Sequence, residues 1–452
     1  MQTETSSSYQ RDLGNGLIAR WSTAADSENI AQLAGMVFRD KADEPINTRM
    51  VHNVLRLMRG DHPLMTPLDY AVVEDTGKQG NPIVACICHL RHIWEYEGIA
   101  FGVGQPEIVA TDPGYRNRGL IRVLFELVHA RNVEEGRLVT AITGIPYFYR
   151  QFGYEYVLDL DETHTTYITQ IPKAKDDEQE PYTLREATNE DIPLLQQFYN
   201  RRKGTSIVWS RISDAYWRYE LEGWKVQPDW GRTSSIQIIV DKAGDAQGYL
   251  FLSPIRWGQG LHVRGFDVAP GASVQAMLPS VLRALQAYGN QIPTRRPDTD
   301  PFSKIDFSLG SNSPLYEVMG SLAVSTEVPY AWYIRVPDLP AFLKHITPVL
   351  EKRLANSEAA GYTGEVKIDF YHGGLRMVFE QGRLMTVEKW VVPVFEGNAG
   401  AGFPALVFLQ VVFGYRSIEA LRQIFPDVWV NDETGYLLNV LFPERVSFVA
   451  SL

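Results

Sequence analysis

The sequence predicts an α+β protein in which a mixed-sheet unit is repeated and then followed by a third region of helices and strands. Three observations carry this. Strand-like and helix-like segments succeed one another in antiparallel order, not as repeated parallel crossovers. A charged tract at 173–180, bounded on its far side by Pro181 and preceded by Pro172, interrupts that order. Beyond it the pattern begins again. With 452 residues, 45% of them hydrophobic and 12% aromatic, the chain can fill several cores, so two or three domains are expected.

In chain order, an apolar strand at 17–20 leads into Ser22-Thr23-Ala24-Ala25-Asp26, where Ser22 or Thr23 caps a helix with Ile30, Leu33, Ala34 and Val37 on one face. A second helix at 47–58 carries Met50, Val54, Leu57 and Met58 as its apolar stripe. Strands follow at 69–74 and 82–92, the latter opened by Gly77-Lys78-Gln79-Gly80-Asn81. A strand at 107–111 runs directly into Asp112-Pro113-Gly114. The helix after it, at 120–133, has Leu120, Val123, Leu124, Leu127 and Val128 on one side. A strand at 138–142, an aromatic turn at 146–152 and a strand at 154–160 complete the unit.

Past the charged tract, Arg185, Thr188 and Asp191 repeat the spacing of Arg20, Thr23 and Asp26. Val268-Ala269-Pro270-Gly271 echoes Thr111-Asp112-Pro113-Gly114, and Leu315-Tyr316-Glu317-Val318-Met319-Gly320 echoes Phe148-Tyr149-Arg150-Gln151-Phe152-Gly153. All three matches are displaced by about 160 positions in the same order, which argues for a duplicated unit with altered loop lengths. The last region begins near Val336. Asp338 caps a helix with Phe342, Leu343, Ile346 and Leu350 on its buried side, strands are expected at 364–371, 375–380 and 383–388, and helices at 405–413 and 417–424. The expected domains are therefore 1–172, 181–334 and 335–452.

The formal net charge is −11 and the basic residues form no dense tract, which argues against nucleic acid as a partner. The chain opens without a basic start or an apolar stretch, and its longest apolar segment, 403–413, is too short to span a bilayer. The expectation is a cytoplasmic protein with no membrane partner. Cys86 and Cys88 are the only cysteines, two apart on a strand, and are expected to be buried hydrophobes; with His89 and His92 they do not make a metal site unless the strand folds back on itself. No metal is expected. His345 is expected to pack or lie at the surface, and His372 to mark a hairpin bend. Trp209, Trp217, Trp224 and Trp230 suit a core as well as the wall of a ligand pocket.

The segment that points to chemistry is Thr111-Asp112-Pro113-Gly114-Tyr115-Arg116-Asn117-Arg118-Gly119-Leu120-Ile121. Proline and glycine end a strand, Arg116 and Arg118 bring positive charge, Gly119 allows close approach of the backbone, and the helix from Leu120 aims its positive end at an anion. A phosphate fits this turn. A solvated helix start whose arginines pair with surface carboxylates is the competing reading.

Residues 109–121, the helix after them and Tyr149-Arg150-Gln151-Phe152-Gly153-Tyr154 are similar to the acetyl-coenzyme A site of GNAT-superfamily N-acetyltransferases. The whole layout resembles the enhanced-intracellular-survival, or Eis-like, type of aminoglycoside acetyltransferase: tandem GNAT-like domains, the second of them degenerate, followed by a sterol-carrier-protein-like domain. The resemblance implies a pantetheine arm beside Val109, Ala110 and Thr111, on a strand splayed by a β-bulge. It implies a pyrophosphate on the amides of Arg116, Asn117, Arg118, Gly119, Leu120 and Ile121. Where the family usually has a small residue, this chain has Ile121. Tyr149 takes the place of the tyrosine that protonates the departing thiolate, and the main-chain carboxylate of Leu452 takes the place of the group that accepts the amine proton. The family often ends on an aromatic residue; this chain ends on leucine.

The implied activity is transfer of an acetyl group from acetyl-CoA to a primary amine, of an aminoglycoside or another polyamine, by direct attack on the thioester. A homo-oligomer is expected because the sheet and the terminal domain offer apolar surface. The alternative is an inactive GNAT-like protein that binds a small molecule or lipid. For Tyr149 the competing role is a ring packing the turn with Tyr147, Phe148 and Phe152. The second repeat follows Gly271 with Ala272, Ser273 and Val274, without arginine or a second glycine, so one coenzyme site per chain is expected.

Overall fold

The first sheet opens with a hairpin of β1 (Gln10–Gly14) and β2 (Leu17–Trp21), joined by Asn15 and Gly16, both at positive φ as a two-residue turn of this hand requires. The structure, a computed structural model, describes residues 9–160, 162–174, 179–295, 301–311, 313–327, 330–391 and 399–450. After β2 the chain makes a 3₁₀ turn, Ala24–Asp26, in which Asp26 receives Arg20 at 2.8 and 2.9 Å and the Thr23 N–H at 2.7 Å. This turn launches α1 (Ser27–Val37) and is followed by α2 (Thr48–Leu57), capped by the Asn47 side chain. Then come β3 (Tyr70–Asp75), β4 (Ile83–Tyr96), β5 (Ile99–Thr111), α3 (Leu120–Glu134), β6 (Val139–Ile142) and β7 (Glu155–Leu160).

β4 and β5 are longer than the sequence pattern suggested, at 14 and 13 residues. Gly102, Gly104 and Pro106 weaken the strand signal of β5, while Glu97 and Gly98, both at positive φ, form a second tight hairpin turn that the pattern did not disclose. The sheet runs β1-β2-β3-β4-β5-β6, then Tyr330–Arg335, then β7, with Val208–Ser210 added along β4. α1 and α2 cover one face over Tyr70, Val72, Cys86, Cys88, Ile108 and Ala110. α3 covers the other over Ala71, Val73, Ala85 and Ile87. Both cysteines are buried and unbridged, as small core residues.

The chain forms two compact units, counting the described residues of each. Unit 1 is drawn from Met1–Leu158, Ile207–Arg211 and Ala331–Arg445, and unit 2 from Asp159–Ser206, Ile212–Tyr330 and Val446–Leu452. Unit 1 also holds a five-stranded sheet in the order Arg383–Trp390, Gly374–Glu380, Gly364–Asp369, Ala401–Gly402, Trp429–Val430. The single helix expected after Asp338 is instead two, Leu339–His345 and Thr347–Ala355, broken at Ile346 because Pro348 cannot continue the first helix. The helix expected at 405–413 is reduced to Phe408–Val412. His345 donates to the Ala100 carbonyl at 2.7 Å, and His372 stands in the bend between Gly364–Asp369 and Gly374–Glu380, flanked by Tyr371 and Gly373 at positive φ.

In unit 2 a seven-stranded sheet runs Val324–Glu327, Thr163–Tyr167, Lys304–Ser308, Gly260–Val268, Ala246–Leu252, Ser235–Asp241, Tyr182–Glu186. The helix Val274–Gln291 packs on it through Met277, Val281, Leu282 and Leu285. The opening turn repeats that of unit 1. Asp191 accepts Arg185 at 2.7 and 2.8 Å and the Thr188 N–H at 2.8 Å, ahead of the helix Ile192–Asn200. Three shared residues thus rebuild one turn twice. No helix among the described residues is long and apolar enough to cross a membrane.

Candidate functional site

The sheet of unit 1 opens into a fork. β5 and β6 run parallel and pair only at Val103↔Val139 and Gly104↔Thr140. Beyond these the two strands part, since β5 stays with β4 to Thr111 while β6 pairs on its other side with Tyr333, Ile334 and Arg335. An irregularity on β5 accompanies the parting. Cys86 faces Ala110 but Cys88 faces Glu107, which leaves one extra residue on β5, and Ile108 there takes a φ of 50°. A β-branched residue in that region is costly, and such bulges turn a strand away from its neighbour. Val109, Ala110 and Thr111 form the stretch of β5 beyond the bulge, with no pairing to β6.

The turn after β5 is built to stay rigid. Asp112 accepts the Gly114 N–H at 2.9 Å and the Lys78 ammonium at 2.7 Å. Burial works against the Asp112 carboxylate, but Lys78 and that N–H hold its pKa below the ordinary value. Arg118 stacks on the Tyr115 ring, 4.7 Å from its centre, and donates to the Gly114 carbonyl at 3.1 Å, so its guanidinium braces the turn. The Arg116 N–H donates to the Pro113 carbonyl at 3.5 Å, while its exposed side chain makes no hydrogen bond or ion pair among the described residues. The two arginines that the sequence treats alike are therefore distinct: one stiffens, the other is available to a ligand.

Asn117 and Gly119 take φ values of 63° and 74°, which turns the backbone into α3 with Gly119 as its cap. Among the described residues the amides of Asn117, Arg118, Gly119, Leu120 and Ile121 donate to no group of the protein; the first inward bond is from Arg122 to the Gly119 carbonyl. A side chain at Gly119 would meet no protein atom within 4 Å. Free amides at the positive end of a 15-residue helix, with open space at Gly119 and the Arg116 side chain on the same turn, are the features that an anion site requires. The Ile121 side chain packs into the core under α3, so the bulk that departs from the resembled pattern points inward and leaves its amide free.

Tyr149 sits in the 3₁₀ turn Phe148–Phe152 and is only 3% exposed. That turn lies against the start of α3: Phe152 stacks on Phe125 at 4.5 Å, and Arg122 donates to Gln151 at 3.2 Å. The Tyr149 hydroxyl lies 3.7 Å from where a side chain on Gly144 would begin, two residues past the end of β6. Tyr149 therefore stands at the β6 side of the fork, with its ring edge-on to Phe125, Phe148 and Tyr333. Its ring packs the turn, and its hydroxyl lies on the Gly144 side. Beneath it Tyr154 shares a hydrogen bond of 2.8 Å with His129, which burial and the Arg335 charge push down to about 3.

A residue that the sequence did not single out lies on the face of the sheet that α1 and α2 cover. Glu107, beside the bulge, has its carboxylate 2.9 Å from the Gln105 amide, on the side of Tyr70 and Cys88. Burial pushes its pKa up, against the opposing pull of Gln105 and the Ile108 N–H. A carboxylate whose pKa is raised is a stronger base than an ordinary one. The only signal in the sequence was a lone acid in an otherwise apolar strand. Leu452 lies outside the described residues. Among the tryptophans, Trp209 and Trp217 are core side chains, and Trp224 lies under the Arg232 guanidinium at 4.2 Å.

Residues 19–157 match the family described as "Acetyltransferase (GNAT) domain". The solved structures similar over nearly the whole chain include a probable N-acyltransferase of unknown function from Enterococcus faecalis V583, at 13% identity and a TM-score of 0.65, covering 95% of this chain and 97% of that one. A GCN5-related N-acetyltransferase from Anabaena variabilis ATCC 29413 is similar at 11% identity and TM-score 0.64, covering 95% and 98%. Eis1 from Mycobacterium abscessus is similar at 12% identity and TM-score 0.60, covering 96% and 99%. Comparison with curated protein sequences gives no match. The chain has a GNAT acetyltransferase fold, extended beyond a single domain.

Proposed function

We propose that this chain, with its GNAT acetyltransferase fold, uses unit 1 to bind acetyl-CoA and to transfer the acetyl group to a primary amine. The observation that carries this is the run of free amides from Asn117 to Ile121 at the head of α3, next to Arg116 and at the foot of a forked sheet. Acetyl-CoA would supply an activated thioester. The protein's part is to hold the phosphates on those amides and on Arg116, to orient the pantetheine along Val109, Ala110 and Thr111, and to manage two protons.

Tyr149 holds a donor hydroxyl at the fork for the leaving sulfur, and the amine attacks the acetyl carbon directly. The amine proton needs an acceptor. Resemblance alone assigns it to the Leu452 carboxylate; the raised pKa and position of Glu107 favour that residue as a second acceptor. The domain division at 172, 181 and 335, the Eis-like type, a sterol-carrier-like last domain, an aminoglycoside or polyamine acceptor and a homo-oligomer belong to the same proposal. The full-length likeness to Eis1 supports it at the level of fold.

The test is release of free thiol from acetyl-CoA in the presence of a panel of amines. Absence of both coenzyme binding and thiol release would refute the proposal, and lipid binding without coenzyme binding would favour the inactive alternative. Tyr149→Phe is expected to lower turnover about 100-fold while changing coenzyme affinity little, the size usual for loss of a positioned acid. Glu107→Gln is expected to lower turnover about tenfold or more and to flatten the acidic limb of the pH–rate profile. An unchanged profile would remove Glu107 from the chemistry.

A further inference from the structure

Unit 1 holds a cavity that neither the free amides of the anion turn nor Tyr149 lines. It measures about 260 Å³ and lies between α1, the segment at 39–46, the start of β4 and Asp112. Leu33 and Ile83, both sealed from solvent, form its floor, and Met36 and Ile46 its partly open walls. All four belong to the core under α1 and α2, whereas the amides of Asn117 to Ile121 head α3, which covers the opposite face of the sheet. The walls are fixed by the local chain. Ile46 is seated against Gly35 so closely that a side chain on that glycine would begin 2.8 Å from it, and the Asn47 N–H donates to the Gly35 carbonyl at 3.0 Å.

The rim carries two cations. Arg39 gives Nε to the Met36 carbonyl at 2.8 Å and Nη1 to the Glu44 carbonyl at 3.1 Å, so its hydrogen bonds go to neutral oxygens. Among the described residues its half-buried charge has no carboxylate partner, and its Nη2 has no acceptor. Lys78 donates one proton to Asp112 at 2.7 Å and has two more to give. Asp112, the one carboxylate on the lining, is already held by Lys78 and by the Gly114 N–H at 2.9 Å, which leaves the Arg39 charge uncompensated. The other polar group at this end, the Asn81 side chain, is occupied by the Asn29 carbonyl at 2.7 Å and the Ile83 N–H at 2.9 Å. A slot of carbon atoms that ends at an unpaired guanidinium and an ammonium matches one chemistry, a short apolar chain ending in an anion.

We propose that this cavity binds a small molecule with an aliphatic body and a carboxylate head, the body on Leu33, Met36, Ile46 and Ile83 and the head between Arg39 and Lys78. The volume has room for roughly eight or nine heavy atoms, at the 30 Å³ or so that a water molecule occupies. Lys78 links the cavity to the anion turn. Its ammonium holds Asp112 at the start of that turn and lies 5.1 Å from the centre of the Tyr115 ring, on which Arg118 also stacks. A carboxylate that draws on Lys78 weakens its hold on Asp112, so this ligand and coenzyme A oppose one another. That coupling rests on the coenzyme reading above; the cavity site does not.

The test is a ligand-observed NMR titration of the full chain with hexanoate, hexan-1-ol and hexylamine, with and without saturating coenzyme A. Hexanoate is expected to bind about tenfold tighter than the alcohol, and the amine more weakly than either. Arg39→Gln is expected to remove the preference for hexanoate over hexan-1-ol, and Arg39→Lys, which keeps the charge, to retain most of it; a guanidinium that only braces 39–46 would give the same loss in both. Met36→Trp, which fills the cavity from its open wall, is expected to abolish hexanoate binding and to leave coenzyme A affinity within about twofold. No saturable hexanoate binding, equal affinity for hexylamine, or a hexanoate affinity unmoved by both Arg39→Gln and Met36→Trp overturns the site. Complete exclusion of hexanoate by coenzyme A would make the cavity part of the coenzyme site and overturns it too. The expected coupling is a loss of hexanoate affinity of about fivefold; an unchanged affinity removes the link through Lys78. Hexanoate binding by a chain that binds no coenzyme A refutes the coenzyme reading and upholds the cavity site, so the two failures are told apart.

Discussion

Gly119→Val is expected to raise the dissociation constant for coenzyme A about 100-fold or more, while the folded protein survives with a modestly lower melting temperature. Two effects combine. A β-branched residue at a φ of 74° is strained, at a cost of about 1–2 kcal/mol. Its methyl groups also occupy the open space in front of the amides from Asn117 to Ile121, where an anion has to come close. The strain alone is controlled for by Gly271→Val, since Gly271 ends the matching turn of unit 2 with a φ of 82° and equally open surroundings. That variant is expected to lose similar stability and no coenzyme affinity. Arg116→Ala is expected to weaken binding less, by about tenfold, and to reduce its salt dependence, because one exposed charge is removed and the amides remain. Titration calorimetry decides: equal losses for Gly119→Val and Gly271→Val, or none for either, would remove the anion site from the turn.

Why this much of the site could be read from the sequence is clear from the residues involved. The turn Asp112–Ile121 is local, so proline, glycine, arginine and the helix that follows state its geometry in consecutive positions. The turn of Arg20, Thr23 and Asp26 is local too, and its recurrence at Arg185, Thr188 and Asp191 exposed the duplication. What the sequence could not state depends on distant partners. Val208–Ser210 and Tyr330–Arg335 are short apolar runs that join the first sheet far from their neighbours in sequence, and nothing within either run announces β4 or β6 as its partner. Arg116 and Arg118 look equivalent until the Tyr115 ring claims one of them. The raised pKa of Glu107 was invisible because its cause is burial beside the bulge, which no neighbouring residue in the sequence announces.

Mild acid is expected to unfold unit 1 ahead of unit 2. His89 and His92 are buried on β4 and His129 is half-buried on α3, and desolvation pushes their pKa values down to about 4, 3 and 3 from the ordinary 6.5. Below pH 6.5 the unfolded chain therefore binds protons that the folded chain refuses. Stability falls as pH drops from 6.5 toward the folded values, and near pH 5 each such histidine costs about 2 kcal/mol. Three of them together approach the total stability of an ordinary domain, about 5–15 kcal/mol. Glu107, whose folded pKa is raised, opposes this within unit 1 but is a single group. In unit 2 the balance is different. Burial raises Asp267 to about 7 from 3.8, so the folded form takes up a proton first as pH falls through 7, and acid relieves a buried charge there. His262, lowered by burial, pulls the other way. Scanning calorimetry at pH 7.5 and pH 5 is expected to show one part of the transition moving down sharply and separating from the rest. Hydrogen exchange at pH 5 is expected to place the early opening in β4 and α3, and His92→Gln to move that transition back toward its neutral-pH position. A transition that shifts as one body, or an early opening in Gly260–Val268, would show that these buried histidines do not govern acid stability.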